Sequence, residues 1–187
     1  MKFFNKLVIA MLFTSALCVL SHGASVAYVE DGGAKHTFEN IYDAIACLGE
    51  DGGKIYITSA VSLADGEEIS AGGKVTVTAD GGSLNFLGDA YLCGDFTFEN
   101  ITLGFEKSAA MLFCEGNDVT FGKGITTSYT GTAPVIYGGT FGGKSGMTYK
   151  KMCFSDYTLT VKSGTWYYVR GGNFRRIALY GFHRRIL

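Results

Sequence analysis

The sequence predicts an all-β protein, a right-handed parallel β-helix solenoid of about six coils with an N-terminal amphipathic cap helix. Glycine supplies 27 of the 187 residues and proline only 1, so glycine is about twice as frequent as in an average protein. Short runs of alternating apolar and polar residues recur about every 20 residues, which is typical of a repeat architecture. Apolar residues make up 47% of the chain, which excludes a disordered glycine-rich linker.

The repeated runs have the alternation of a strand that buries one face. They begin at residues 54, 74, 95, 118, 138 and 157, and the run at 138–141 is degenerate. Repeats of this length cannot bury an apolar face alone, so each coil must stack on the next. A parallel β-helix with about three short strands per coil explains this period better than a leucine-rich repeat or a hairpin meander. An outward row of threonines is predicted from their shared place in four runs: Thr76, Thr97, Thr120 and Thr140.

Residues 1–23 have the layout of a secretory signal peptide, with Lys2 and Lys6 ahead of an apolar run that is short for a membrane span. Cleavage fits after Gly23 and also after Ala27, and a buried helix or membrane anchor is the alternative. We therefore expect a secreted protein, extracellular or on the cell surface, with no membrane span after signal removal. The net charge of −1 gives no sign of a nucleic-acid partner.

Residues 24–53 are predicted to form a cap over the first coil, because a solenoid must cover its open apolar end. A helix is expected at 37–48, where Thr37 can act as the N-cap and apolar residues recur at helical spacing. Gly49 then ends the helix. A strand at 25–30 is expected to join this cap.

The coils are predicted to cover residues 54–176, and residues 177–187 form an atypical tail. Four of the five arginines lie between residues 175 and 185, and this segment has no clear strand pattern. Two interpretations stay open. The tail is either a C-terminal cap helix at 177–187 or the end of a truncated or frame-shifted chain whose natural continuation has more coils.

Four cysteines follow the predicted signal, and an even number in an exported chain permits disulfides. Cys93 and Cys114 lie about one repeat apart, and Cys153 follows about two repeats later. We therefore predict one interior ladder of Cys93, Cys114, Val135 and Cys153. Aligned Cβ atoms about 4.8 Å apart exceed the usual disulfide separation, so a buried thiol ladder is favoured over a disulfide between Cys93 and Cys114.

Several segments resemble the N-terminal part of secreted pectin-lyase-like right-handed β-helix proteins. Residues 27–29, 38–48 and 52–57 are similar to the first strand, the cap helix, the Gly-Gly turn and the first coil strand, and residues 95–103 are similar to an inner coil. The likeness covers about residues 25–173. It implies the fold but not one activity, because this superfamily includes polysaccharide lyases, hydrolases, esterases and non-catalytic surface proteins.

Residues 138–145 match the phosphate-binding P-loop pattern, in which Lys144 would reach the phosphates and Ser145 would hold Mg²⁺. The helix that this motif requires is not indicated after the match. A glycine-rich chain produces such matches by chance, and this one falls in register with the repeat. We therefore predict no nucleotide-binding site.

Asp95 and Asp118 begin successive aligned runs, so stacking would bring their carboxylates within about 5 Å of each other. Such a pair suits Ca²⁺, which prefers oxygen ligands, and Ca²⁺ is the one cofactor that the sequence suggests. The alternative is that both are turn residues whose side chains bond backbone groups.

Trp166, Tyr167 and Tyr168 follow a predicted strand and are candidates for stacking on sugar rings. Alternation would place Trp166 and Tyr168 on one face and Tyr167 on the other. The alternative is that one of these rings packs in the core and another is exposed in the ordinary way. A polysaccharide or cell-surface glycan is accordingly the expected partner.

No catalytic residue can be assigned from the sequence, because the three histidines lack the spacing of a metal site or the context of a catalytic triad. The expected function is an exported β-helix surface or carbohydrate-interacting scaffold without a recognisable catalytic set. The alternative is a polysaccharide lyase or hydrolase, or its N-terminal fragment.

Overall fold

The computed structural model describes residues 24–138, 157–170 and 177–179. Within them the chain forms short strands and one helix. In chain order these elements are β1 (Ala27–Asp31), β2 (Ala34–Phe38), α1 (Ile41–Leu48), β3 (Gly53–Ile57), β4 (Ala60–Leu63), β5 (Glu67–Ser70), β6 (Val75–Ala79), β7 (Ser83–Phe86), β8 (Ala90–Cys93), β9 (Phe96–Glu99), β10 (Thr102–Phe105), β11 (Met111–Phe113), β12 (Val119–Phe121), β13 (Thr126–Tyr129), β14 (Val135–Tyr137), β15 (Leu159–Val161), β16 (Tyr168–Arg170) and β17 (Ile177–Leu179).

The strands form three sheets, and each complete coil contributes one strand to each sheet. The first sheet has the order β17-β15-β12-β9-β6-β3-β1-β2, the second β13-β10-β7-β4, and the third β16-β14-β11-β8-β5. Pairing is parallel except where β1 meets β2 and β3. This architecture is the predicted parallel β-solenoid, in which every coil covers the apolar face of its neighbour.

The described residues form four complete coils, which begin at β3, β6, β9 and β12, whereas the sequence predicts about six. The prediction counts the run at 138–141 as a strand of the first sheet, and that assignment is wrong. Strand β12 pairs directly with β15, with Val119 opposite Leu159, so no strand lies between them. Gly138 instead follows β14 in the third sheet, where its N–H donates to the Arg170 carbonyl. Residues 139–156 lie outside the described part.

Phenylalanines of the first sheet fill the interior because alternate residues of each strand face inward. Phe96, Phe98 and Phe121 are buried. The Phe98 ring centroid lies 5.9 Å from that of Phe96 and 5.5 Å from that of Phe121. These stacked rings join successive coils into one core.

Threonines occupy the outer face of the same strands. Thr97 lies opposite Thr76 on one side and Thr120 on the other, and Thr120 lies opposite Thr160. The outward row is therefore confirmed for its first three members. Its fourth member is Thr160 rather than the predicted Thr140, because β15 is the strand that follows β12.

The N-terminal cap combines β1, β2 and α1. Thr37 lies within β2, so its prediction as the helix N-cap is wrong. Asn40 is the N-cap, and its side-chain oxygen accepts a hydrogen bond from the Asp43 N–H at 2.8 Å. This bond satisfies a helix-end donor that would otherwise lack a partner. Gly49 ends the helix as predicted, and its N–H donates to the Ala46 carbonyl.

Helix α1 packs three apolar side chains against the first coil, those of Ile41, Ala44 and Ile45. Strand β1 covers the edge of β3, with Val29 opposite Ile55. Among the residues that the structure describes, no helix is long and apolar enough to cross a membrane.

The predicted ladder of Cys93, Cys114 and Val135 is wrong. Phe113 lies opposite Tyr91. Cys114 is therefore opposite Leu92, and Cys93 lies one residue beyond the position that would face Cys114. Since side chains alternate, this step places the two cysteines on different faces: Cys114 is buried and Cys93 is half-buried. Burial raises the pKa of the Cys114 thiol. Cys153 lies outside the described residues.

The residues from 177 to 179 form β17, which pairs in parallel with β15. The predicted start of an atypical tail therefore continues the first sheet, and the alternative of a cap helix beginning at residue 177 is wrong. The apolar pattern Ile-Ala-Leu suits a strand of this short length.

Candidate functional site

The second sheet stops one coil before its neighbours, because the chain between β15 and β16 passes β13 without forming a strand. Side-chain hydroxyls hold this crossing in place of a strand ladder. Thr127 Oγ1 accepts a hydrogen bond from the Thr165 N–H at 2.8 Å and donates to the Thr165 carbonyl at 3.2 Å. Ser163 Oγ accepts from the Ile125 N–H at 2.9 Å. The crossing segment is thereby tied to the fourth coil.

Trp166 closes the core beneath this crossing and is only 7% exposed. Its ring centroid lies 4.9 Å from that of Phe121 and 5.9 Å from that of Phe105. Its Nε1–H donates to the Ser163 carbonyl at 3.1 Å, which satisfies the polar end of the indole. The ring faces of Trp166 are therefore used for packing and are not open to a ligand.

Tyr167 and Tyr168 lie on the surface, with 70% and 50% of their area exposed. The backbone holds both residues. The Tyr167 N–H donates to the Pro134 carbonyl at 2.9 Å, and Tyr168 starts β16 opposite Val135. The predicted alternation fails here because β16 begins only at Tyr168, so Trp166 and Tyr168 do not share a face.

A cleft of about 490 Å³ lies over the end of the second sheet. Its described lining contains two aromatic residues, of which Phe105 is buried, together with one acidic residue, several hydroxyl-bearing residues and one glycine: Gly104, Phe105, Glu106, Thr127, Ser128, Tyr129 and Thr130. Tyr129 is 40% exposed. The sequence alone does not predict this cleft, although the hydroxyl-rich run at 126–130 is a signal that points to it.

Three outward aromatic rings, which the sequence alone does not predict, form a row on the third sheet. The Phe113 ring centroid lies 4.9 Å from that of Tyr91 and 5.3 Å from that of Tyr137, and the ring planes are nearly parallel. Both faces of the Phe113 ring are covered by its neighbours, so the row contributes to coil stacking more than to a flat sugar platform. Burial, and next the charge of Asp89, raise the pKa of Tyr91.

Asp95 and Asp118 lie in register, as the spacing predicts, and each side chain binds the backbone of the next coil. Asp95 Oδ1 accepts a hydrogen bond from the Asp118 N–H at 2.8 Å, and Asp118 Oδ1 accepts one from the Thr158 N–H. No group of three or more His, Cys, Asp or Glu side chains suited to a metal occurs within the described ranges. The calcium site stays a prediction, and the geometry provides a backbone-bonding role for both residues.

We expect Asp118→Ala to destabilise the protein by about 1 kcal/mol, because it removes the acceptor for the Thr158 N–H. The midpoint of thermal unfolding should fall by about 2–4 °C for a chain of this size. Asp118→Asn keeps an acceptor oxygen and is the matched control. Equal losses in both variants would contradict this role.

The same variants test calcium. If Asp95 and Asp118 bind Ca²⁺, adding it should raise the unfolding midpoint of the native chain and not that of Asp118→Asn, because only the carboxylate pair attracts the ion strongly. An identical response of both proteins would contradict a calcium site at this pair.

The P-loop match at 138–145 lies outside the described residues except for Gly138. No protein-family model, curated protein or solved structure was found to match this chain. The parallel β-solenoid is established by the strand pairing itself, and the surface of the last coils provides the basis for a functional proposal.

Proposed function

We propose that this protein is an exported β-helix scaffold of the pectin-lyase-like type that binds carbohydrate through Tyr167 and Tyr168. The observation that carries the proposal is the exposure of these two consecutive tyrosines on a backbone held by the neighbouring coil. When a sugar ring packs on an exposed aromatic side chain, apolar surface of both is removed from water, which favours binding. The tyrosine hydroxyl can in addition form hydrogen bonds with the hydroxyls of the sugar.

The distribution of exposed apolar side chains supports this surface. Five large hydrophobic side chains are exposed in the described part of the chain: Tyr42, Leu87, Tyr129, Tyr167 and Tyr168. Three of these are tyrosines near the end of the described solenoid: Tyr129 ends β13 of the fourth coil, and Tyr167 and Tyr168 lie just before and at the start of β16 in the incomplete coil that follows. Grouped exposed apolar residues with polar surroundings are typical of binding sites.

The solenoid also suits a polymeric ligand. Stacked coils present long surfaces with a regular spacing of about 4.8 Å. A glycan chain can lie along such a surface and contact more than one coil. Because the backbone is held by continuous sheets, little conformational entropy is lost when a ligand binds.

We expect a Tyr167→Ala/Tyr168→Ala double variant to lose about tenfold or more in glycan affinity, because both exposed rings are removed. A glycan array followed by calorimetry on the best ligand measures this. Tyr42→Ala, which removes an exposed tyrosine from the cap, is the matched control and should bind normally. Unchanged binding by the double variant would contradict the proposal.

Incubation of the native protein with pectin and alginate, with and without Ca²⁺, tests whether it has polysaccharide lyase or hydrolase activity. A scaffold leaves both polymers intact. Appearance of unsaturated products would contradict the scaffold proposal and assign a lyase, and release of reducing ends without unsaturation would assign a hydrolase.

A further inference from the structure

The cleft at the end of the second sheet is lined by residues of coils three and four, beside the crossing that leads to Tyr167. Thr127, which lines the cleft, binds Thr165 through two hydrogen bonds, and Tyr167 follows two residues later. The cleft and the exposed tyrosine pair are therefore joined by one short, hydrogen-bonded segment.

The aromatic part of the cleft is Tyr129. It lies opposite Phe105, which stacks on Phe86 with ring centroids 5.1 Å apart. Phe86 and Phe105 are buried, whereas Tyr129 is exposed, because within the described residues no strand of the second sheet follows β13. Tyr129 is therefore the exposed aromatic residue of the described cleft lining.

The polar part of the cleft is almost uncharged. Ser128 and Thr130 supply hydroxyls, and Glu106 is the one charged side chain among the described lining residues. The neighbouring Lys107 does not line the cleft, and its Nζ lies 2.8 Å from Asp89 Oδ2 and 3.9 Å from Asp65 Oδ1. The described lining therefore offers a carboxylate and no cation.

We propose that this cleft is a second carbohydrate subsite and that it takes an uncharged glycan rather than a polyuronate. The inference rests on the carbohydrate function proposed above. A neutral sugar can stack on Tyr129 and donate hydroxyl hydrogen bonds to the Glu106 carboxylate, and such charge-assisted bonds are among the stronger ones. A uronate would instead bring a like charge to Glu106, which lowers affinity by about fivefold or more at 4 Å.

The test is calorimetry of the full chain with three oligosaccharides of equal length: cellohexaose, xylohexaose and hexagalacturonate. We expect at least one of the neutral hexamers to bind about fivefold or more tightly than hexagalacturonate at low salt. Tyr129→Ala should lower the affinity for the neutral ligand by about five- to tenfold, and Tyr129→Phe should retain most of that affinity. Ser62→Ala, which removes an exposed hydroxyl of the second sheet outside the cleft, should bind as the native protein does.

Glu106→Gln tests the charge argument directly. It should reduce the preference for the neutral ligand over hexagalacturonate toward equality, because the repulsion is gone. Circular dichroism and thermal unfolding verify that each variant is folded. A preference that does not change in Glu106→Gln would overturn the role of this carboxylate.

The outcomes separate this inference from the proposed function. If Tyr129→Ala binds normally while Tyr167→Ala/Tyr168→Ala does not, the cleft is not a subsite and the carbohydrate function stands. Tighter binding of hexagalacturonate than of both neutral hexamers would overturn the assigned glycan class. If the native protein binds no glycan of the array or of this set, both proposals are wrong.

Discussion

Replacement of Phe98 by alanine is expected to lower the free energy of unfolding by about 3–5 kcal/mol. Phe98 is fully buried, and its ring lies between those of Phe96 and Phe121. Its removal loses the favourable free energy of transferring a large apolar side chain from water into the core, and it leaves a cavity. Because neighbouring coils are held in register by three sheets, they cannot collapse easily to fill that space.

Thr97→Ala is the matched control, since Thr97 precedes Phe98 in β9 and faces outward. Its cost should be about 1 kcal/mol or less, which is the range of strand propensity differences. Urea denaturation followed by circular dichroism measures both variants. Similar losses for the two would contradict the assignment of the inner face.

Gly52→Ala is expected to lower the free energy of unfolding by about 3 kcal/mol. Gly52 has a φ of +69°, and an added Cβ would overlap the carbonyl oxygen of Lys74 in the next coil. The substitution therefore has two costs. Alanine is unfavourable in this backbone conformation, and its Cβ overlaps backbone atoms, which cannot move aside as the end of a flexible side chain could. The second coil would have to move away from the first.

Gly32→Ala separates these two causes. Gly32 also has a positive φ, at +55°, but an added Cβ there meets no atom within 4 Å. Its expected cost is about 1 kcal/mol, since only the backbone conformation is unfavourable. Thermal unfolding of both variants provides the comparison, and equal costs would show that the approach of Gly52 to Lys74 is unimportant.

Much of the fold was predictable because the interior imposes a repeated pattern. The alternation in residues 75–77, 96–98 and 119–121 identifies strands with one buried face, and their spacing requires stacking. The prediction of a strand at 138–141 failed for a local reason. This short run resembles a rung, but only pairing with β12 could make it one, and β15 occupies that position.

Cap positions were less predictable than the helix itself. Thr37 and Asn40 are both good N-cap residues, and the choice between them depends on β2, which extends to Phe38 by pairing with β1. Similarly, Cys93 and Cys114 have the spacing of one coil, but an offset of one residue in the pairing of β8 with β11 places them on different faces.

The candidate site depended most on tertiary structure. Sequence alone indicated an aromatic group at 166–168 and a stacked solenoid with outward threonines. Only the tertiary structure decided that Trp166 packs against Phe121 while Tyr167 and Tyr168 are exposed. It also revealed the cleft beside Tyr129. The physical reason is that alternation determines faces only within a strand, whereas burial beyond a strand end depends on which coil covers the residue.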